Sequence, residues 1–459
     1  LQATGRASML VRREQRFWSA TEKWSLSEDA VAVLRGWMEC SGPRTISGLA
    51  ALLAFDRREV EIALAQLEAE GQVLRGKFTH SGSDGEIEWC NRRVLARIHH
   101  TTLRRLRREI EPVTALQFYY FLARWQHTAT GSQLHGADGV LEIVRQLQGY
   151  EVPAAAWESQ ILKRRIGRYE PALIDELCLS GEILWARVSC HPALKEAEGK
   201  RIRATRVAPI ALMLREDAPW LLTPRETAAA SGSLSPAARD VLAALESERA
   251  LFFADLARIA HRLPSETEDA LWELVAAGLV TADGFENLRA LIDPKRRRGE
   301  GRGRKARPRH SPGRWAVLAR ELGECVDPRP NRVEKWADQL LYRWGILLRD
   351  VLVREAGAPA WRDLLPVLRR MEAQGQIRGG RFVAGFTGEQ FARPEALDLL
   401  RAIRRSREVQ PVTGIPNADP LNLSGIILPG ARISPLTTTI PLLTHEETEP
   451  GDRRRLGAG

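Results

Sequence analysis

Two clusters of arginine and lysine are the residues of this chain best suited to bind a ligand, because guanidinium and ammonium groups hold phosphate oxygens. In a helix, Arg104 and Arg108 would share one face, as would Arg97 and Arg104. The alternative is a solvated helix face whose charges pair with Glu109, Glu111 and other carboxylates. Both clusters are predicted DNA contacts. The first comprises Arg92, Arg93, Arg97, Arg104, Arg105, Arg107 and Arg108, and the second comprises Lys163, Arg164, Arg165 and Arg168.

Asp419 is a carboxylate whose position suggests catalysis. It precedes Pro420 in the string ADPLNL, and an aspartate at the start of a strand could act as a base for water. An Asp-Pro pair more often opens a turn in which the carboxylate accepts hydrogen bonds from nearby backbone N–H groups. We therefore expect a turn at Asp419, with catalysis as the alternative.

Much of the positive charge lies in one segment. The chain has 459 residues and a formal net charge of +10, and residues 295–309 (KRRRGEGRGRKARPR) carry nine basic residues and one acidic residue. That segment is therefore +8 and the rest of the chain only +2. Glycine, arginine and proline at this density do not build a core, so residues 294–310 are predicted to be a flexible linker that holds phosphates. The plain alternative is a spacer.

The composition argues against several classes of protein. No apolar run approaches the roughly 20 residues that span a bilayer. No G-x-x-x-x-G-K-[ST] phosphate loop or DExH box occurs, so we expect no ATP hydrolysis by this chain. The five scattered cysteines match neither a disulfide framework nor a zinc site, and we expect no metal or cofactor. Because the chain starts with Leu1, we interpret it as a fragment of a longer protein. We expect that protein to be cytoplasmic and nucleoid-associated.

A sixteen-residue pattern occurs four times and predicts the elements that position these side chains. Each copy has two apolar residues three places apart, a glycine at the ninth place and a β-branched residue two places later. This order is typical of a helix that ends at a glycine and is followed at once by a strand, as in a winged helix. The copies are ALAQLEAEGQVLRGKF at 63–78, LIDELCLSGEILWARV at 173–188, ALWELVAAGLVTADGF at 270–285 and VLRRMEAQGQIRGGRF at 367–382.

The repeat predicts a mainly α-helical fold with small β-hairpins (α+β), arranged as a tandem winged-helix array. The string DPLNLSGIILPGARI is predicted to form a strand pair, and the polar residues beyond about 435 are predicted to be disordered. The predicted domains are winged helices at 1–98, 99–228 (with a β extension), 229–293 and 311–400, the basic linker at 294–310, and a β-strand segment with its tail at 401–459.

Several strings resemble the C-terminal domain of the bacterial large helicase-related (Lhr) DNA-repair helicases. They span about residues 45 to 430 and include RWQH, GVLEIVRQLQGYEVPAAAWE, RYEPALIDELCLSGEILW and MEAQGQIRGGRFVAGFTGEQFA. The resemblance implies a winged-helix array with a small β-barrel that binds single-stranded or damaged DNA, forms a homo-oligomer and is joined to an N-terminal helicase core. After Gly430 the sequence departs from the family pattern.

The Lhr domain is in turn similar to the AlkZ-type DNA glycosylases, which carry a Gln-Φ-Gln motif followed by a Tyr-x-Pro-x-Leu-like string. Residues 146–148 (QLQ) and 169–173 (YEPAL) match these motifs. The resemblance implies that Gln146 and Gln148 position the water that attacks the sugar of uracil or another damaged base, assisted by Glu151 or Glu158. The alternative is that QLQ is the polar end of a helix in a non-catalytic scaffold that binds DNA and protein partners.

Overall fold

The computed structural model describes most of the chain, which divides into two compact units, Leu1–Glu109 and Ile110–Gly459. Both units are mainly helical with small antiparallel sheets, which confirms the predicted fold class. The basic linker 294–310 and the tail beyond residue 433 lie outside the described residues. The described residues are 6–79, 86–108, 111–191, 208–222, 233–292, 313–322, 329–406 and 415–433.

The first unit contains a β-hairpin and a winged helix. Its elements are β1 (Ala7–Arg12), β2 (Gln15–Ala20), α1 (Ala30–Met38), β3 (Arg44–Thr45), α2 (Ile46–Leu53), α3 (Arg57–Ala69), β4 (Val73–Gly76), β5 (Glu88–Asn91) and α4 (Arg92–Arg108). Leu34, Leu49 and Leu64, one from each of the first three helices, are fully buried in one core. The sheet has the strand order β3-β5-β4.

The second unit opens with another winged helix, whose sheet has the strand order β6-β8-β7. Its elements are α5 (Ala115–Trp125), α6 (Gly136–Leu147), β6 (Val152–Pro153), a π-helical segment (Trp157–Leu162) that continues into α7 (Lys163–Arg165), α8 (Pro171–Leu179), β7 (Ile183–Ala186), β8 (Pro209–Leu214) and α9 (Ala218–Leu221). The tryptophans Trp157 and Trp185 are fully buried and are therefore core residues.

A third and a fourth winged helix complete the second unit. The third comprises α10 (Pro236–Glu248), β9 (Ala250–Phe252), α11 (Phe253–Ile259), α12 (Pro264–Ala277), β10 (Val280–Ala282), α13 (Phe285–Ile292), β11 (Arg314–Val317) and α14 (Leu318–Leu322). The fourth comprises α15 (Arg329–Trp344), β12 (Ile346–Leu347), α16 (Trp361–Ala373), β13 (Arg378–Gly380), β14 (Gln390–Ala392) and α17 (Pro394–Ser406). Their strand orders are β9-β11-β10 and β12-β14-β13.

In each of the four three-stranded sheets the strand that comes last in sequence lies in the centre, as the wing hairpin of a winged helix requires. One strand crosses a predicted boundary. β11 pairs with both β9 and β10, although residues 311–400 are predicted to form the fourth module. The sheet of the third winged helix therefore uses strands from both sides of the 294–310 linker. The other domain boundaries stay predictions.

The four repeat glycines end the third helix of each module in the predicted way. Gly71, Gly181, Gly278 and Gly375 all have φ between +71° and +81°. After Gly71, the N–H of Gln72 donates to the carbonyl oxygen of Leu67 at 2.9 Å. This bond closes the helix end and turns the chain into the strand. Matching bonds join Glu182 to Leu177, Leu279 to Leu274 and Gln376 to Met371.

The predicted strand pair near the end of the chain is wrong within residues 415–433. These residues form turns with an isolated bridge between Ser424 and Leu428. The reason is local, because Asp419 Oδ1 accepts the N–H of Leu421 at 2.9 Å and thereby holds a turn. In the part of the chain that the structure describes, the sheets are open, and none closes into a barrel. Nor is any helix there long and apolar enough to cross a membrane.

Gly71→Ala tests the helix-end geometry. A Cβ at position 71 would meet no atom within 4 Å, so the substitution changes only the backbone preference. A left-handed alanine costs about 1–2 kcal/mol, and we expect the free energy of unfolding of the first unit to fall by that amount. Gly36→Ala in α1 is the matched control, because alanine there stabilises the helix by about 0.5–1 kcal/mol. Hydrogen exchange of the α3 amides measures both, and a Gly71→Ala variant as stable as Gly36→Ala would contradict the assignment.

Candidate functional site

The QLQ motif lies at the end of α6. Gln146 belongs to the last turn of the helix, which buries Val140, Ile143 and Leu147 in the core. Gln148 leaves the helical backbone with ψ 136°, and Gly149 follows with φ +81°. Both glutamine side chains are buried. The local structure is therefore the polar helix end that the sequence allowed as the alternative.

Gln148 uses its carboxamide to tie three elements together. Its Nε2 donates to Asp217 Oδ2 and to Gln339 Oε1, both at 2.9 Å. Its Oε1 accepts the N–H of Leu214 at 3.2 Å, at the end of β8. Both N–H donors of the group are used, so in this conformation Gln148 has no donor left for a water molecule or a substrate.

Gln146 differs from Gln148 in the hydrogen bonding of its side-chain oxygen atom. Its Nε2 donates to the carbonyl oxygen of Trp125 at 2.9 Å, whereas its buried Oε1 has no hydrogen-bond partner among the residues that the structure describes. Buried acceptors are normally satisfied in folded proteins, so this oxygen needs an explanation. Gln146 is thus the member of the motif that keeps an acceptor for another molecule.

Asp419 forms a buried ion pair with Arg165. The distances are 2.6 Å from Nη1 to Oδ2 and 2.9 Å from Nη2 to Oδ1, and both side chains are 0% exposed. Gln126 Oε1 also accepts from Arg165 Nη2, at 3.2 Å. Burial and the Asp419 charge raise the pKa of Tyr119 above its usual value. Asp419, which was predicted to be catalytic, and Arg165, which was predicted to bind DNA, therefore neutralise each other's charge inside the protein.

A second buried arginine, which the sequence patterns did not single out, holds the backbone of the QLQ motif. Arg343 on α15 donates from Nη2 to the carbonyl oxygen of Gln148 at 2.5 Å and forms an ion pair with Glu355. Gln126 Nε2 donates to the carbonyl oxygen of Arg343 at 3.0 Å, which links the two arginines. We call this set the buried polar network. Its side chains are those of Gln126, Gln146, Gln148, Arg165, Gln339, Arg343, Glu355 and Asp419.

One sequence signal points to Arg343. It is an arginine within a mostly apolar string, LLYRWGILL, where a charge must either reach solvent or find a buried partner. The carboxylates predicted to assist catalysis also have structural partners. Glu151 Oε1 accepts the backbone N–H groups of Val188 and Ser189 at 2.6 and 2.7 Å, and Glu158 is paired with Arg289.

The first basic cluster lies on α4 of the first unit. The helix begins at Arg92, directly after β5, so it crosses the predicted domain boundary at residues 98 and 99. Asn91 Oδ1 accepts the N–H of Arg93 at 2.9 Å and caps the helix. The helix holds seven arginines and no carboxylate in its sequence. The exposed predicted contacts are Arg92, Arg93, Arg97, Arg104 and Arg105, while the side chain of Arg108 lies outside the described residues.

The second basic cluster is split by burial. Lys163 and Arg168 are exposed and Arg164 is half-buried, but Arg165 is fully buried in its pair with Asp419. Arg165 therefore does not reach a phosphate in this conformation. Within the described residues, no group of three or more His, Cys, Asp and Glu side chains is arranged to hold a metal ion.

Comparison with known proteins shows which class of domain this chain contains. Family models described as "Large helicase-related protein, winged-helix domain" match residues 113–208 and 327–412. The chain is thus a tandem winged-helix protein. Residues 113–208 and 327–412 are therefore winged-helix domains of the large helicase-related type, as the resemblance predicted for this part of the chain.

Two relatives share this similarity over most of the chain. The "Lhr helicase/ probable uracil glycosylase" of Mycolicibacterium smegmatis is 29% identical over 444 residues, which are 88% of this chain and 28% of the relative. The "Lhr helicase/uracil glycosylase" of Escherichia coli is 29% identical over 418 residues, which are 81% of this chain and 26% of the relative. The chain spans about a quarter of the length of these relatives.

Among solved structures, the "Streptomyces sahachiroi DNA glycosylase AlkZ" gives a TM-score of 0.36 at 14% sequence identity. That likeness covers 64% of this chain and 73% of the other. A score this low supports no conclusion about fold or function.

The buried ion pair generates a stability prediction. Asp419→Ala leaves the Arg165 guanidinium buried without its partner, and we expect the free energy of unfolding to fall by about 3–5 kcal/mol. The double variant Arg165→Met/Asp419→Leu should recover most of that loss, because no lone charge remains.

Asp398→Ala is the control for this measurement. It removes an exposed ion pair with Arg401 and should cost no more than about 1 kcal/mol. Chemical denaturation of the full chain compares the three proteins. An Asp419→Ala variant as stable as Asp398→Ala would show that the buried pair is not needed to hold the fold.

Proposed function

We propose that this chain is a DNA-binding module of a repair helicase and that α4 makes its main contact with the DNA backbone. The observation that supports this proposal most strongly is the row of exposed arginines on a helix without a carboxylate. Guanidinium groups bind phosphate oxygens through paired N–H donors. Because phosphate contacts release counterions, binding of this kind is strong at low salt and independent of sequence.

Charge on the other helices supports the choice of α4. A winged helix commonly inserts its third helix into the major groove, and a DNA-facing helix is expected to be basic. Three of the four third helices here carry more acidic than basic residues, and the fourth, α16, carries three arginines against two carboxylates. α12 carries four carboxylates and no basic residue, α8 carries two and none, and α3 carries three against two arginines. Groove insertion by these three helices would bring carboxylates towards phosphates, so it is disfavoured.

Arg97→Glu/Arg104→Glu tests this proposal. The two residues share one helical face, and losing two phosphate contacts should reduce the slope of log K against log salt by about 1.4 for a single strand and about 1.8 for a duplex. Fluorescence anisotropy with labelled oligonucleotides measures the slope. The control Arg258→Glu/Arg401→Glu makes the same charge change at exposed arginines of the second unit. Equal salt slopes for both double variants would rule out α4 as the main contact.

A second candidate function is hydrolysis of an N-glycosidic bond in DNA. The two relatives carry the words "uracil glycosylase" in their names, and Gln146 Oε1 is a buried acceptor without a partner in the described residues. In this proposal Gln146 Oε1 accepts a hydrogen bond from the attacking water, while Gln148 and the Arg165–Asp419 pair hold the surrounding core. The cationic sugar formed in the transition state needs such a placed water.

Incubation with a uracil-containing single-stranded oligonucleotide, followed by alkali, tests the second function. Strand cleavage is expected for the wild type and is expected to fall at least about 100-fold in Gln146→Ala, the usual scale for losing a positioned catalytic group. Gln148→Ala is the comparison variant, because its loss should lower stability first. Thermal melting and DNA binding of each variant separate a catalytic defect from unfolding. No cleavage by folded, DNA-bound wild type would leave the non-catalytic scaffold.

The chain is also proposed to act joined to a helicase motor, because the relatives named helicases extend far beyond the matched region. Homo-oligomerisation and a cytoplasmic, nucleoid-associated location stay predictions.

A further inference from the structure

A cleft of about 380 Å³ lies in the second unit and shares no residue with the buried polar network. Its position was not predicted from the sequence. Its volume is at the small end of the range for ligand sites. Most of its surface is apolar, contributed by Ala154, Ala155, Tyr169, Phe285 and Ile292.

One arginine among the lining residues is held by two carboxylates. Arg289 donates from Nε to Glu158 Oε2 at 2.8 Å and from Nη1 to Asp175 Oδ2 at 3.1 Å. Tyr169 donates its hydroxyl to Glu158 Oε1 at 2.9 Å, which fixes the ring at the cleft wall. Burial, followed by the Glu158 charge, raises the pKa of Tyr169 above its usual value, so the hydroxyl stays protonated. The cleft therefore holds a neutral, oriented aromatic ring.

The rim of the cleft carries positive charge. Ser159 and Lys163 lie on the π-helical turn and at its end, and π-helical turns occur often at functional sites. Lys163 is exposed and has no carboxylate partner in the described ranges. Exposed Arg168 comes directly before Tyr169 and has φ +59°, a strained conformation for this residue type.

The chemistry of the cleft fits one unpaired nucleotide. An aromatic ring beside apolar walls suits the flat face of a base, which stacks on aromatic side chains without regard to its identity. An unpaired lysine at the rim suits the phosphate. A carboxylate oxygen of Glu158 retains an acceptor position for an N–H on the edge of the base.

We propose that this cleft binds a single unstacked nucleotide of a DNA strand, with its base against Tyr169 and its phosphate at Lys163. Other ligands fit less well. A basic peptide side chain would meet the unpaired charge of Lys163, which would repel it. A small inorganic anion would leave the apolar walls unused. The inference rests on the proposed function, because the nucleotide would belong to a DNA strand that this chain binds.

The fluorescent mononucleotide 2-aminopurine deoxyribonucleoside 5′-monophosphate tests the cleft without a strand. Stacking on Tyr169 should quench the probe in a saturable way with the full chain. Tyr169→Phe should keep the quenching, since the ring remains, and Tyr169→Leu should abolish it. Ala155→Leu fills the cleft from an exposed position and should also abolish quenching.

Lys163→Ala separates phosphate from base recognition. The substitution should lower the affinity for the nucleotide about fivefold, which is the scale of an exposed ion pair, and should leave the affinity for the corresponding nucleoside unchanged. Arg258→Ala, on α11 outside the cleft, is the control and should change neither. An oligonucleotide carrying one 2-aminopurine repeats each comparison, so that binding of free nucleotides and of strands is distinguished.

Absence of saturable quenching with the wild type would overturn the proposal, and so would quenching that survives both Ala155→Leu and Tyr169→Leu. A failure of the proposed DNA contact at α4 would give a different result from a failure of the cleft assignment. If Arg97→Glu/Arg104→Glu leaves strand binding intact while the cleft variants lose quenching, the α4 contact is wrong and the cleft assignment stands. If strand binding requires α4 while mononucleotide binding is absent, the cleft assignment alone is wrong.

Discussion

Two fully buried guanidinium groups set the constraints on the second unit. An ionised group taken out of water costs several kcal/mol unless its charge is paired and further hydrogen bonds satisfy its donors. The two Nη groups of Arg165 are bonded to Asp419 and Gln126, while its Nε has no partner among the described residues. Arg343 is bonded to Glu355 and to the carbonyl oxygen of Gln148. Meeting these requirements fixes the end of α6, the turn at Asp419 and the position of α15 relative to both.

The same constraint explains why residue types that suit catalysis are poor evidence for it. Gln148 and Asp419 have the chemistry to handle water, yet their donors and acceptors are used within the core. Gln146 Oε1 is the exception in the described part of the motif. The glycosylase proposal therefore depends on Gln146, and the remaining polar residues support it by holding the helix end rigid.

The helices and wings could be predicted from sequence because their signals are local. A left-handed glycine after an apolar helical stripe fixes the helix end whatever the tertiary context, and all four copies have that geometry. The pairing of Arg165 with Asp419 joins residues 254 positions apart, and no spacing rule indicates it. For the same reason β11 could not be assigned to the third sheet across the basic linker, and Arg289 and Glu158 could not be seen to meet at one cleft.

In the proposed function the exposed cationic helix contacts DNA, whereas the charges of the interior are compensated within the fold. Hydrogen exchange of the full chain, with and without a single-stranded oligonucleotide, tests this division most directly. The account predicts slower exchange on α4 and along Trp157–Tyr169, with α3, α8 and α12 unchanged. Slower exchange on α3, α8 and α12, with α4 unaffected, would contradict it.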